Sequence, residues 1–467
     1  MIELQHAEYP LKAEMAVPGD KSISHRAVMF GSLAKGDTRI TGFLNGADCL
    51  STIRCFRKLG VKIDIEEGKD EDSSTVIVHG QGLHGLSSAE KEICLDTGNS
   101  GTTTRILSGI LAPQPFVSIL SGDASVNSRP MARIMDPLSE MGAHIESVRG
   151  NGCAPLRISG TALHGCAWHS PVASAQVKSA ILCAGLFADS PTTVIEPALS
   201  RDHTERMLTA FGAKIMSIRM PDGCHAGISP ADELYAQEID VPGDISSAAY
   251  FIVAALLVPG SELIIHNVDV NPTRDGIIRV LQDMGADITL QNRHGGIVGG
   301  IAQQGLMPSS HYGGAPRSEG PEPAADLIVK YSPLHGTTVC GEIIPALIDE
   351  LPVLAVAAAA ASGVTFVKDA AELKVKECDR ITAMAEGLNA MGADVAPTPD
   401  GWVINGIAGK KKALRGADIA CRADHRIAMS FAVASLIAEG TTRLDDDACV
   451  RISYPGFFRD FAELTKP

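Results

Sequence analysis

The 467-residue chain predicts an α/β fold made of about six copies of one β-α-β-α-β-β unit. Three observations predict it. The stretch Val17-Pro-Gly-Asp-Lys-Ser-Ile-Ser-His-Arg26 returns 224 residues later as Val241-Pro-Gly-Asp-Ile-Ser-Ser-Ala-Ala-Tyr250. Five helix ends carry one signature: Leu59-Gly-Val-Lys-Ile63, Met141-Gly-Ala-His-Ile145, Phe211-Gly-Ala-Lys-Ile215, Met284-Gly-Ala-Asp-Ile288 and Met391-Gly-Ala-Asp-Val395. Six nearly all-apolar helices begin near Lys21, Asn99, Ser174, Asp244, Asp349 and Asp424.

In chain order, each unit presents one of those apolar helices first. Pro-Gly turns deliver Asp20 and Asp244, with the serines that follow, to the first turns of two of them. Val353-Leu-Ala-Val-Ala-Ala-Ala-Ala-Ala361 has no polar face and must be buried on all sides. Strands such as Thr38-Arg-Ile-Thr-Gly42 and Glu262-Leu-Ile-Ile-His266 come next. The second helix of each unit keeps Arg, Asp and Glu on one face. It stops at a glycine because a helix C-terminus takes a left-handed residue, which glycine adopts without steric cost. Those glycines stand 82, 70, 73 and 107 residues apart. The long interval contains Gly295 to Ala325, whose Gly, Pro and Ser composition reads as an inserted loop; removing roughly thirty residues restores the common period. A sixth, truncated unit runs from Asp424 to the C-terminus, with Pro455 to Leu464 as its second helix.

At this length two domains of about 200 residues are expected. Eleven cysteines occur singly, without a C-x-x-C pair, which argues against a disulfide framework. Met1 to Glu8 has no secretory pattern, and the apolar run from Leu351 to Ala361 is too short to cross a bilayer, so a cytoplasmic protein is expected. A formal charge of -15 disfavours nucleic acid and anionic membranes as partners. Any anion site must then be a local cluster of cations.

Helix starts favour such clusters, since their free N–H groups and dipoles attract anions. The first copy of the duplicated motif holds Lys21, His25 and Arg26 where the second has no cation, which points to a negatively charged ligand. Asp96-Thr-Gly-Asn-Ser-Gly-Thr-Thr-Thr-Arg105 is a hydroxyl-rich helix start that either cradles phosphate or carboxylate or simply caps a buried helix. Arg129 precedes Pro130, a residue suited to open a helix, and alone reads as a surface arginine. Gln176 either orients a ligand or satisfies a first-turn neighbour, and Arg201, alone, reads as part of a solvated ion-pair face. Asp349-Glu350 before Leu351-Pro352 is an ordinary acidic helix start, although one acid suffices for that. Glu377 and Arg380 are spaced for a salt bridge on a helix surface, and Asp424-His-Arg426 sets a charged triplet at a buried element. Side by side, these helices would turn their positive ends into one cleft.

Pro18-Gly-Asp-Lys-Ser-Ile-Ser-His-Arg-Ala27, Gly98-Asn-Ser-Gly-Thr102, Arg129-Pro-Met131, Ser174-Ala-Gln176, Lys376-Glu-Cys-Asp-Arg380 and Asp424-His-Arg426 together resemble the 5-enolpyruvylshikimate-3-phosphate synthase family, in order and over nearly the whole chain. Ala173-Ser-Ala-Gln-Val-Lys-Ser-Ala180 and Ser200-Arg-Asp-His-Thr-Glu205 look like its second bacterial class. The resemblance implies a two-domain inside-out α/β barrel, three units to a domain, with the active site in the cleft between them. One domain would span residues 19–240, and the other residues 1–18 with 241–467, the Pro-Gly-Asp copies being the crossings. It also implies transfer of the enolpyruvyl group of phosphoenolpyruvate to the 5-hydroxyl of shikimate 3-phosphate, with release of phosphate, on the way to chorismate and aromatic amino acids. The implied enzyme is a monomer that needs no metal or organic cofactor.

On the matching positions, Lys21, Ser22, Arg26, Ser174, Ala175, Gln176, Arg201, Asp349 and Lys376 would bind shikimate 3-phosphate. Lys21, Gly101, Arg129, Gln176, Arg380 and Arg426 would bind phosphoenolpyruvate. Asp349 would be the base for the hydroxyl and Glu377 the acid toward the methylene, with Lys21 sharing proton transfer. Two departures matter. Ile452 stands where first-class members carry a lysine, so that contact is either absent or supplied by Arg451. Gly101 stands where some herbicide-tolerant relatives have alanine, so glyphosate is expected to inhibit. UDP-N-acetylglucosamine enolpyruvyltransferases share the implied fold but want a Lys-Asn pair and a mobile loop cysteine; here Ser22 follows Lys21, and Cys153 reads as an ordinary loop residue. A silent anion-binding relative would need to keep none of Asp349, Glu377 and the cleft arginines.

Overall fold

The computed structural model describes residues 1–68, 71–295, 321–409 and 414–466. Most of the expected insertion lies outside the described residues, and its last two residues, Ala324 and Ala325, already belong to the strand Ala324–Lys330. The described helices are α1 (Lys21–Leu33), α2 (Ala47–Lys58), α3 (Gly101–Leu111), α4 (Ala132–Glu140), α5 (Ala175–Gly185), α6 (His203–Ala210), α7 (Ile245–Leu257), α8 (Gly276–Asp283), α9 (Leu351–Ala360), α10 (Arg380–Ala390), α11 (His425–Ser435) and α12 (Phe457–Leu464). They alternate in kind, as the apolar patterns predict. The odd-numbered helices are buried almost throughout; in α9 every residue from Leu351 to Ala359 is inside. The even-numbered ones bury one stripe: α8 puts Ile277, Ile278, Val280 and Leu281 inward and leaves Arg279, Gln282 and Asp283 in solvent.

Helices α2, α4, α6, α8 and α10 end at the expected glycines, Gly60, Gly142, Gly212, Gly285 and Gly392, at φ between +88° and +100°. The first stop shows how they close. Gly60 N–H donates to Arg57 O (3.1 Å) and Val61 N–H to Phe56 O (3.0 Å), which satisfies two carbonyls the helix end would leave bare. The same crossed pair recurs at the other four, for example Gly392 to Asn389 and Ala393 to Leu388.

The strands form mixed sheets of recurring order. Glu92–Asp96 runs parallel to Val117–Ser121, which pairs antiparallel with Leu156–Ser159, and that strand with His144–Ser147. Ala167–His169, Thr192–Glu196, Gly223–Ile228 and Ile215–Met220 repeat the order, as do Thr338–Val339, Val364–Val367, Gly401–Asn405 and Asp394–Thr398. In two sheets the parallel partner comes from far along the chain: Lys12–Ala16 joins Glu262–Asp269, and Glu238–Asp240 joins Ala34–Leu44.

Buried apolar side chains gather in two clusters. One runs from Ile23 to Val241; the other combines Leu4, Leu11 and Val17 with residues from Ile245 to Leu464. Between them the two Pro-Gly-Asp segments lie against each other. Asp20 N–H donates to Pro242 O and Asp244 N–H to Pro18 O, both at 2.8 Å. A side chain at Gly19 would stand 2.0 Å from the Gly42 carbonyl oxygen, so this crossing needs glycine. Asp20 and Asp244 then cap their helices, accepting from Ile23 N–H and Ser246 N–H at 2.8 Å. Among the described residues, no helix is long and apolar enough to cross a membrane.

Candidate active site

A cavity of about 560 Å³ opens where the starts of α1, α3, α5, α7 and α11 meet the segment that leads into α9. All six buried helices thus present their N-terminal ends to one space, where backbone N–H groups and dipoles favour anions. The wall carries nine Lys and Arg against six Asp and Glu, in a chain whose formal charge is -15. Excess positive charge is therefore a local property of this wall.

Most of the sequence-predicted residues line it: Lys21, Ser22, Gly101, Arg129, Ser174, Ala175, Gln176, Arg201, Asp349, Lys376, Glu377, Arg380 and Arg426. Arg26 does not. It is buried one turn behind Ser22, where Nε donates to Thr204 Oγ1 (2.7 Å), Nη2 to Ser179 Oγ (2.8 Å) and Nη1 to Ser22 O (3.0 Å). These bonds join α1 to α5 and α6, and helical spacing sets Arg26, four places after Ser22, deeper along the same face.

Asp349 is the hub. It pairs with Arg201 across the two clusters, and with Lys376 (3.3 Å), Arg380 (3.4 Å) and Arg426 (3.9 Å) on its own side. Burial alone would raise its carboxyl; the four cations, Lys376 foremost, hold it well below the ordinary range. Neither Asp349 nor Glu350 makes the helix cap their position suggests, because Glu350, at the cap, turns to Ser246 and Arg274. Arg380 is likewise no surface residue. It is 1 % exposed at the start of α10, with Nε on Asp424 Oδ2 (2.8 Å) and Nη2 on Glu377 Oε2 (2.6 Å). Glu377 also lies 4.0 Å from Arg129, and against the penalty of burial Arg380 holds its carboxyl below the usual value.

Lys21 opens α1 and pairs with Asp48. Burial works against the ammonium, yet the Asp48 carboxylate outweighs it and raises the pKa. Gln176 receives Arg105 Nη1 on its oxygen (2.7 Å) and donates to Thr102 Oγ1 (3.0 Å), so α5 and α3 are joined at the wall. Arg129 is held by Asn99 Oδ1 (2.9 Å) and Ser125 Oγ (3.0 Å); the next helix begins at Ala132, so Pro130 does not open it. A Cβ at Gly101 would stand 2.8 Å from Arg105 Nη1 and 3.0 Å from Arg129 Nη1. His425 also lines the wall, its imidazole driven down to about 3 by burial, hence neutral. Arg451 is exposed and stands outside the wall, where Ser453 contributes instead. Cys153 is outside it too, its Sγ 3.5 Å from Ser128 O.

Sequence reasoning missed Arg105, Arg133 and Asp48 as wall residues. Arg105 was findable, since it follows Gly101 by four places and so shares its helix face. Asp48 left no such trace, because only the packing of α2 against α1 brings it to Lys21.

Comparison with known proteins agrees with this geometry. A family model described as EPSP synthase (3-phosphoshikimate 1-carboxyvinyltransferase) matches residues 6–461. A 3-phosphoshikimate 1-carboxyvinyltransferase of Desulforudis audaxviator is 50 % identical over 447 residues, 96 % of this chain and 95 % of that one. Another, from Brevibacillus brevis, is 48 % identical over 457 residues, 98 % of each. The solved structure of EPSP synthase from Acinetobacter baumannii superposes with a TM-score of 0.82 at 42 % identity, covering 99 % of this chain and 97 % of its own. A wall of cations at six helix starts, the motifs that build it and near-complete coverage lead to one conclusion: the chain belongs to the EPSP synthase (3-phosphoshikimate 1-carboxyvinyltransferase) family.

Proposed function

We propose that the cavity transfers the enolpyruvyl group of phosphoenolpyruvate to the 5-hydroxyl of shikimate 3-phosphate. The observation that carries this reading is Asp349, an ionised carboxylate ringed by four cations where both apolar clusters meet. Two polyanionic substrates must be pressed together there, and only a dense set of cations in a partly dry space offsets their repulsion. Lys21, Ser22, Arg26, Ser174, Ala175, Gln176, Arg201, Asp349 and Lys376 take the shikimate ester. Lys21, Gly101, Arg129, Gln176, Arg380 and Arg426 take phosphoenolpyruvate.

In the first step the 5-oxygen bonds to C2 of phosphoenolpyruvate, Asp349 accepts the hydroxyl proton and C3 gains a proton, giving a tetrahedral ketal. In the second, C3 loses a proton as the bond from C2 to the phosphate oxygen breaks, and phosphate leaves. Lys21 starts protonated and Glu377 starts ionised, so Lys21 is the proton source at rest. Glu377 becomes an acid only after phosphoenolpyruvate draws Arg380 and Arg129 toward itself. Two three-unit domains, residues 19–240 and residues 1–18 with 241–467, form the inside-out barrel whose cleft is this cavity. Support for the division comes from the two separate apolar clusters and the paired crossings at Gly19 and Gly243. The enzyme works as a cytoplasmic monomer without cofactor, and glyphosate inhibits it. Phosphate release from phosphoenolpyruvate tests the reading: release with shikimate 3-phosphate and none with UDP-N-acetylglucosamine is expected. The reverse preference would overturn it.

A further inference from the structure

Lys21 must hold a proton for C3 while two polyanions compete for its charge. Its ammonium pairs with Asp48 Oδ2, and among the described residues no other carboxylate comes within ion-pair distance of it. Asp48 is 6 % exposed, stands on the cavity wall and belongs to the first turn of α2.

Two observations separate this pair from an ordinary staple between α1 and α2. The first is that a staple already exists deeper in the fold. His25 Nδ1 on α1 lies 2.7 Å from Thr52 Oγ1 on α2, Thr52 Oγ1 lies 2.7 Å from Thr103 Oγ1 on α3, and Thr103 Oγ1 donates to Ser100 Oγ at 2.7 Å. All four residues are buried, and Ser100 is the cap that precedes Gly101. The second is the way the Asp48 carboxylate is turned. Gly46 leaves α2 without a side-chain cap, and an acid in the first turn ordinarily serves the free N–H groups there. Asp48 aims Oδ2 at Lys21 instead and leaves Oδ1 buried, with no hydrogen-bond partner among the described residues. A buried acceptor without a donor costs stability, so stability alone does not choose this orientation.

Charge around the ammonium is selective too. His25, Cys49 and His425 stand near it, but burial keeps both imidazoles and the thiol neutral. Asp244 Oδ2 takes the Lys21 backbone N–H at 3.3 Å. Glu377 also acts on the ammonium, but it is held by Arg380 and Arg129. Without Asp48 the ammonium would turn to the anionic groups of the substrates.

We infer that Asp48 is a positioning residue for the group transfer: it holds the Lys21 ammonium at a fixed point of the wall, ready to give its proton to C3. The inference rests on the proposed reading in which Lys21 is the proton source, and Asp48 acts through Lys21 alone.

The test compares the full chain with Asp48→Asn, which keeps the shape and removes the charge. Phosphate release by the wild-type chain with both substrates comes first; its absence would remove the reading, and this inference with it. In Asp48→Asn, kcat should fall about 10–100-fold, a part of the roughly 10²–10⁴-fold that a placed proton carrier supplies. The KM for phosphoenolpyruvate should stay level or fall, because the wall has lost a negative charge and no substrate contact. The alkaline limb of the kcat/KM profile should move to lower pH, since burial then acts on Lys21 with less opposition. Asp48→Glu should restore that limb and part of kcat. A lost staple gives the opposite split, with KM raised and the limb unmoved; that result, or wild-type kcat in Asp48→Asn, would overturn the inference. If Asp48→Asn does not fold, Asp48→Ser takes its place with the same expectations, and failure of both to fold would make the pair a staple and overturn it.

Discussion

Lys178 illustrates how single residues hold the cavity in shape. It is 1 % exposed, with Glu196 at 3.1 Å and Glu205 at 2.8 Å. Glu196 in turn accepts Ser174 N–H and Ser200 Oγ, both at 2.8 Å, and so fixes two wall segments. Lys178→Ala would leave two buried carboxylates facing each other; an expected loss of about 3–5 kcal/mol is read from urea melts. Gly101 makes a different prediction. An alanine methyl would push the ends of Arg105 and Arg129, so Gly101→Ala should raise the glyphosate concentration for half inhibition about tenfold, with a smaller rise in the KM for phosphoenolpyruvate. Equal sensitivity in both proteins would contradict it. At this scale the sequence was legible where function sits in local motifs, as at Lys21 or Asp424-His-Arg426. It was silent on Glu196 and Asp48, whose partners are chosen by packing.

The repeated helix stop is the element on which the architecture turns. Each even-numbered helix before α12 needs a left-handed residue to reverse into its hairpin, and Gly392 isolates that need because a Cβ there would meet nothing within 4 Å. Gly392→Ala should therefore cost about 1–2 kcal/mol from backbone conformation alone, measured by denaturant unfolding, and Gly392→Asn less. Equal stability of all three would refute the argument. Such stops are readable because their physics spans a few residues. Sheet order was not readable: Lys12–Ala16 pairs with Glu262–Asp269 across some 250 residues, and no local pattern encodes a partner so distant. Arg380 shows the same limit, since helical spacing with Glu377 is identical on a surface and in a buried site.

The whole molecule sets two apolar clusters around a charged seam, and that seam makes it sensitive to acid. Burial drives His425 down to about 3 and His25 well below its ordinary value. Both stay neutral in the folded chain while the unfolded chain takes up protons below about pH 6.5. Their stabilisation is thus complete above pH 6.5 and is lost as pH falls toward the folded values. The unfolding free energy read from urea melts should drop between pH 7 and 5, by about 1 kcal/mol per pH unit for each histidine; a flat profile would contradict this. The depressed carboxylates Asp349 and Glu377 add their own loss only below about pH 4. In the proposed reaction Asp349 is a base set among cations gathered from both halves of the chain. The most direct test is Asp349→Ala, followed by turnover and by the dissociation constant of shikimate 3-phosphate. Turnover should fall about 10²–10⁴-fold while the ester binds as tightly or more tightly, since four cations lose their internal counterion. Near-normal turnover, or a loss explained entirely by weaker binding, would remove Asp349 from the chemistry.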